Sequence, residues 1–284
     1  MSALLAFVAG VVAAAGLWRA MAPQFHESEV LRRQNYRGHA LPVASGVIVV
    51  LAVVLVCATY SVWIRFGADA PIEQVRLANL LAYSGTALGY GLLGLLDDLV
   101  GATSTKGFRG HLGALAHGRV TTGLVKLVWG VLLGVLAAPG TGWGGLRGGL
   151  VIAATANLGN LFDRAPGRTI KVSLLGGLLV VALGVPAGEI TSMALVLGAG
   201  LAMLLPDLRE RCMLGDTGSN VLGGAVGFGL VVALGPTGEW IALGALVALN
   251  LASERISFTR VIDATPPLRW FDRLGALPER RGRA

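Results

Sequence analysis

Apolar runs close to twenty residues long recur down almost the whole chain. A helix of that length spans roughly 30 Å, the thickness of the hydrocarbon layer of a bilayer. The runs fall near residues 3–21, 42–64, 78–96, 120–138, 148–163, 172–186, 189–206, 219–235 and 239–253. The connectors at 140–145, 186–188 and 235–238 are Gly/Pro turns of the kind that join antiparallel neighbours, although Pro186 also fits a kink within one longer span. Only 14% of the 284 residues are charged, against about 25% in a soluble domain, so an ordinary water-soluble globule is excluded. The expected fold is all-α: a polytopic integral membrane protein of nine to ten transmembrane helices. Residues 1–255 form one membrane domain and 256–284 a cytoplasmic tail at the interface.

Charge sets the expected orientation. If the loops alternate across the bilayer, twenty of the 23 Lys and Arg collect on one side and only Arg65, Arg76 and Arg147 lie opposite. By the positive-inside rule the crowded side is cytoplasmic, which puts the N-terminus outside and the tail inside, in a bacterial cytoplasmic membrane. The net charge of +7 is thereby explained without nucleic acid as a partner. The first run has no basic residues before it and does not read as a cleavable signal peptide. Cys57 sits within a span and Cys212 in a polar loop, so no disulfide framework is expected.

Three polar clusters break the membrane pattern, all at cytoplasmic span ends. Asp97 and Asp98 close the third span. Adjacent helical residues point about 100° apart, so the two carboxylates cannot serve one face, and acids at the negative end of a helix dipole need a partner. A solvated helix end is the bland alternative. Asn157, Asn160 and Asp163 form a three-residue-spaced stripe near the end of the fifth span, followed by Arg164, Arg168 and Lys171. Polar groups there must face the bundle interior or a wet cavity. The cations either mark topology or clamp phosphates. The third cluster, Gly215-Asp216-Thr217-Gly218-Ser219-Asn220, opens the eighth span. It reads either as structural helix capping or as a diphosphate seat on a helix N-terminus, with Asp216 holding a Mg²⁺. Lys126, just inside the fourth span, adds a cation at the same depth.

Taken in order, these clusters resemble the polyprenyl-phosphate N-acetylhexosamine-1-phosphate transferase family, whose members include the phospho-MurNAc-pentapeptide translocases of cell-wall synthesis. That family carries an Asp-Asp pair closing the third span, N-x-x-N-L-x-D-G-x-D-G on the fifth and G-D-x-G-S opening the eighth. The resemblance covers about residues 1–255. It implies a Mg²⁺-dependent reaction in which a polyprenyl phosphate attacks the β-phosphate of a UDP-amino sugar and releases UMP. It further implies Asp216 as metal ligand, and Asp97 as acceptor of the carrier's proton. Asp98, Asn157, Asn160 and Asp163 would line the diphosphate site, with Lys126 offsetting phosphate charge. Arg164, Arg168, Lys171, Gly215, Thr217 and Ser219 complete the expected substrate contacts. Relatives pair as dimers in the membrane.

The chain departs from that pattern where nucleotide and sugar are recognised. Pro166-Gly167 stands where the family repeats D-G, Met213 replaces an aromatic that stacks on uracil, the first cytoplasmic loop is reduced to Arg37-Gly38-His39-Ala40-Leu41-Pro42, and no His-rich loop follows the ninth span. A catalytically weakened relative that binds polyprenyl phosphate or a partner enzyme, as regulator or scaffold, is therefore the second reading. A proton-coupled transporter is the third, but it leaves the Gly-Asp-Thr-Gly-Ser motif without a use. His111 and His117 are six apart and match no helical metal pair or zinc spacing. In the tail, residues 266–274 read as a short helix entered through proline, suited either to anchor at the lipid interface or to cover the pocket.

Overall fold

The computed structural model describes residues 1–67, 71–100, 113, 117–118 and 121–278. The loop residues Lys106, Arg109, His111 and Arg119, and the chain from 279 on, lie outside the described residues.

Among the described residues the long helices are α1 (Ala3–Glu27), α2 (Val47–Gly67), α3 (Pro71–Val100), α4 (Thr122–Ala137), α5 (Gly142–Phe162), α6 (Arg168–Ala182), α7 (Thr191–Leu208), α8 (Gly215–Ala233) and α9 (Pro236–Ser253), each overlapping one of the apolar runs. Two shorter helices follow among the described residues, α10 (Phe258–Ala264) and α11 (Pro266–Arg273). On length and composition, α1, most of α2 and α7 are long and apolar enough to cross a membrane, and α9 taken with α10 makes a fourth if the bent pair counts as one. α5 and α8 have the length but not the apolar composition that this requires.

Local signals explain the boundaries. Ser2 and Thr121 cap α1 and α4 by accepting the Leu5 and Leu124 amides at 3.3 and 3.2 Å. Pro236 enters α9 in the first turn, where its missing N–H costs nothing. Pro186 lies in the turn between α6 and α7 and is a boundary, not a kink.

One element departs from the all-α expectation. The reduced first loop folds as an antiparallel hairpin, β1 (Arg32–Gln34) with β2 (Ala40–Pro42), in which Gln34 faces Ala40. The Asn35 side chain accepts the Arg37 and His39 amides at 2.8 and 3.0 Å, which closes the turn.

α8 is the centre of the bundle and packs on α2, α3, α5, α6 and α7. Tyr83 of α3 is fully buried, and its hydroxyl donates to the Val221 carbonyl at 2.9 Å. Small residues let backbones touch, as helices in lipid require. A Cβ at Gly198 of α7 would lie 2.0 Å from the Phe7 carbonyl of α1.

Candidate functional site

The carboxyl ends of α3, α5 and α7 meet the amino end of α8 at one end of the bundle. Asp97 and Asp98 take the two separate jobs that their angular spacing demands. Asp98 reaches the start of α8, where Oδ1 accepts the Asp216 amide at 2.9 Å. Its Oδ2 accepts the Thr217 amide at 3.0 Å and the Thr217 hydroxyl at 2.7 Å. A carboxylate from another helix therefore caps α8 and complements its positive dipole end. Asp97 turns the other way, 3.7 Å from the Lys126 ammonium. Lys126 also bonds to the Asp216 carboxylate, so a single cation bridges two acids. The carbonyls at the end of α3 are served by Arg33, whose guanidinium donates to those of Asp98 and Leu99 at 3.3 and 3.4 Å.

Backbone proximity holds this arrangement. A Cβ on Gly94 would come within 2.3 Å of the Asp216 carbonyl oxygen, so only glycine lets α3 approach α8 there. Gly215 has φ of +74° and faces the Asp98 carboxylate, which a side chain would strike at 2.6 Å.

Two cavities open on this cluster. One, of about 740 Å³, is lined largely by polar groups: Asn35 and Tyr36 of the hairpin turn, Asp98, Asp163, Arg164, Asp207, Glu210, Asp216 and the stretch from Ile256 to Thr259. The other, of about 870 Å³, runs between α3, α4, α5 and α9 along walls such as Leu93, Leu127, Val131, Leu150, Leu243 and Val247. Lys126, Asp97, Asn157 and Asn160 sit at its polar end. Asp163, Arg164 and Asp216 line both.

Asp163 lies one residue past the end of α5. It lines the polar cavity together with Asp98, Asp207 and Asp216. A site that crowds anions this way is eased by a cation. Among the described residues no three His, Cys, Asp or Glu side chains gather closely enough to form a metal site by themselves. The donors suit a hard divalent ion that takes one or two carboxylates and fills its remaining positions with water or phosphate oxygens. Asp216 and Asp163, shared by both cavities, are the residues able to hold one.

Several residues expected at the site have other partners in the structure. Arg168 and Lys171 do not reach either cavity. Arg168 is buried in a two-point pair with Asp272, and Lys171 donates to carbonyls at the end of α11. Thr217 and Ser219 are buried, and Thr217 spends its hydroxyl on Asp98. The first-turn amides of α8, expected as a diphosphate seat, are filled by Asp98. Asn157 lines the apolar groove and donates to Asn250 at 2.6 Å. His117 lines neither cavity.

Sequence reasoning passed over Asp207 and Glu210. Asp207, buried at the end of α7, accepts the Gly167 amide at 2.6 Å and so fixes the turn that follows Asp163 and Arg164. It directly follows an apolar run, the same signal that singled out Asp97. Glu210 gathers Asn35, Tyr36 and Arg37 at 2.8, 3.1 and 2.8 Å and pins the hairpin as a cavity wall. No local pattern announces that role, since its partners are more than 170 residues away.

The chain is 32% identical over 241 residues to the phospho-N-acetylmuramoyl-pentapeptide-transferase of Moorella thermoacetica, an alignment that covers 75% of this chain and 72% of that protein. No protein-family model matches the chain.

Proposed function

We propose, for a chain that belongs to the phospho-N-acetylmuramoyl-pentapeptide-transferase family, that it moves a phospho-sugar from a UDP-linked amino sugar onto a polyprenyl phosphate for cell-envelope glycan synthesis. The observation that carries this reading is the meeting of a polar cavity and an apolar-walled groove at Asp163, Arg164 and Asp216. A reaction between a water-soluble donor and a lipid acceptor needs two such compartments with one shared wall.

In this reading nine spans place the site on the cytoplasmic face of a bacterial membrane. The polyprenyl tail lies along Leu127, Val131 and Leu243, and its phosphate reaches Lys126 at the polar end of the groove. The donor diphosphate enters from the hairpin side and meets Arg164, whose planar fork suits phosphate oxygens. Asp216, with Asp163, holds Mg²⁺, which when bound offsets phosphate charge and polarises the reacting phosphorus. An oxygen of the carrier phosphate attacks the β-phosphorus, the bond to the α-phosphate oxygen breaks, and UMP leaves. Asp97 takes any proton the attacking oxygen carries. Asn160 faces the Asp216 carboxylate and helps to orient it.

The second reading, a lipid-phosphate binder without turnover, draws support from Lys126, which already bridges Asp97 and Asp216. One assay separates the two. Purified protein is incubated with Mg²⁺, polyprenyl phosphate and a panel of UDP-amino sugars, and UMP release is followed. Metal-dependent release that Asp216→Asn abolishes is expected. Lipid binding with no UMP from any donor leaves the binder, and release indifferent to Asp216→Asn removes the metal assignment.

A further inference from the structure

Helix α11 is inside out. Within α11 the buried residue is an acid, Asp272, at 4% exposure, while Leu268 and Trp270 are 47% and 68% exposed. A helix resting on a protein in water buries its apolar stripe and shows its polar one. Here the polar side docks. Arg168 pairs with both oxygens of Asp272, Nε to Oδ1 at 2.8 Å and Nη2 to Oδ2 at 3.0 Å. Lys171 Nζ donates to the carbonyls of Phe271, Asp272 and Leu274 at 3.1, 2.8 and 2.7 Å. Charge-assisted bonds, not apolar burial, hold the helix in place and turn its apolar side outward.

The chain turns sharply just before this helix. α9 and α10 meet at 94°. With α9 crossing the bilayer, as the membrane reading of the chain has it, α10 at that angle would lie along the membrane surface. Ile256 and Val261 are exposed on the same segment, and Arg255, Arg260 and Arg269 accompany them. Exposed Trp and Leu with interleaved Arg suit the boundary between headgroups and acyl chains, and the cations favour anionic headgroups.

We propose that α10 and α11 form a docking surface for anionic phospholipid, with Leu268 and Trp270 inserted at the interface. The segment also walls the polar cavity through Ile256 to Thr259, and Arg168 ties that wall to α11 through a 2.9 Å bond to the Thr259 hydroxyl. Lipid contact thus steadies one side of the cavity. The inference rests on the membrane reading of the chain and not on its transferase chemistry.

The test uses the full chain in vesicles and needs no substrate. Trp270→Phe is subtracted from the wild type to isolate the emission of one of six tryptophans. Bromine-labelled acyl chains are carried either by phosphatidylglycerol or by phosphatidylcholine. Quenching of the Trp270 share is expected, stronger from the labelled anionic lipid, and Arg260→Gln with Arg269→Gln should remove most of that preference. Each arginine at an anionic surface is worth about a fivefold enrichment. Equal quenching by both lipids overturns the anionic preference. Absence of bromine quenching overturns the lipid surface, whether acrylamide then reaches Trp270 (water) or is blocked (a protein partner).

Discussion

Two regions of the bundle treat buried charge in opposite ways. At the far end, Arg147 of α5 and Glu239 of α9 form a closed pair at 2.7 Å, with the guanidinium 5.8 Å from the Trp240 ring centre. Acid and cation match there. At the near end Asp98, Asp163, Asp207 and Asp216 converge on one cavity, and Lys126 is shared between Asp97 and Asp216. Evenly matched charges hold helices together, whereas an excess of one sign next to open volume stores an electrostatic demand that a ligand can meet.

Four substitutions press on that contrast. Asp216→Asn should cost about a thousandfold in UMP release, the several kcal/mol that a bound metal supplies, a loss in turnover per folded molecule that exceeds whatever stability goes with the Lys126 pair. Glu239→Gln should do the reverse. Breaking a buried pair costs about 3 kcal/mol, seen as a lower unfolding midpoint, and turnover per folded molecule should hold. Equal loss of turnover in both variants would erase the distinction between the two regions. Lys126→Met should lower UMP release about a hundredfold, on the scale of one preorganised electrostatic contact, with a raised KM for the lipid phosphate. Unchanged lipid KM would detach Lys126 from the acceptor. Gly94→Ala should cost about 2 kcal/mol through overpacking against the Asp216 backbone and lower turnover several-fold. A stability loss with full activity would show that the α3–α8 approach does not position Asp216.

The acidic side of this contrast is legible in the sequence. Asp97, Asp98, Asn160, Asp163 and Asp216 stood out because each interrupts or ends an apolar run where an ionised or amide group is costly, and the structure brings all of them to one end of the bundle. Arg168 and Lys171 follow the same stripe in sequence, where a phosphate clamp is one of their two readings. They turn instead to an acid and carbonyls in the tail, about a hundred residues away. The hairpin was legible only as a shortened loop, because β1 and β2 are three residues each and their anchor is Glu210 from the other side of the chain.

Hydropathy and charge order by themselves determined that this chain is a succession of apolar helices with its polar breaks at recurring intervals, since both properties act within a single turn or span. Only the tertiary structure decided which charges neutralise one another and which are left facing a cavity. Coulomb energy depends on distances of a few ångströms between residues that the sequence separates by a hundred or more.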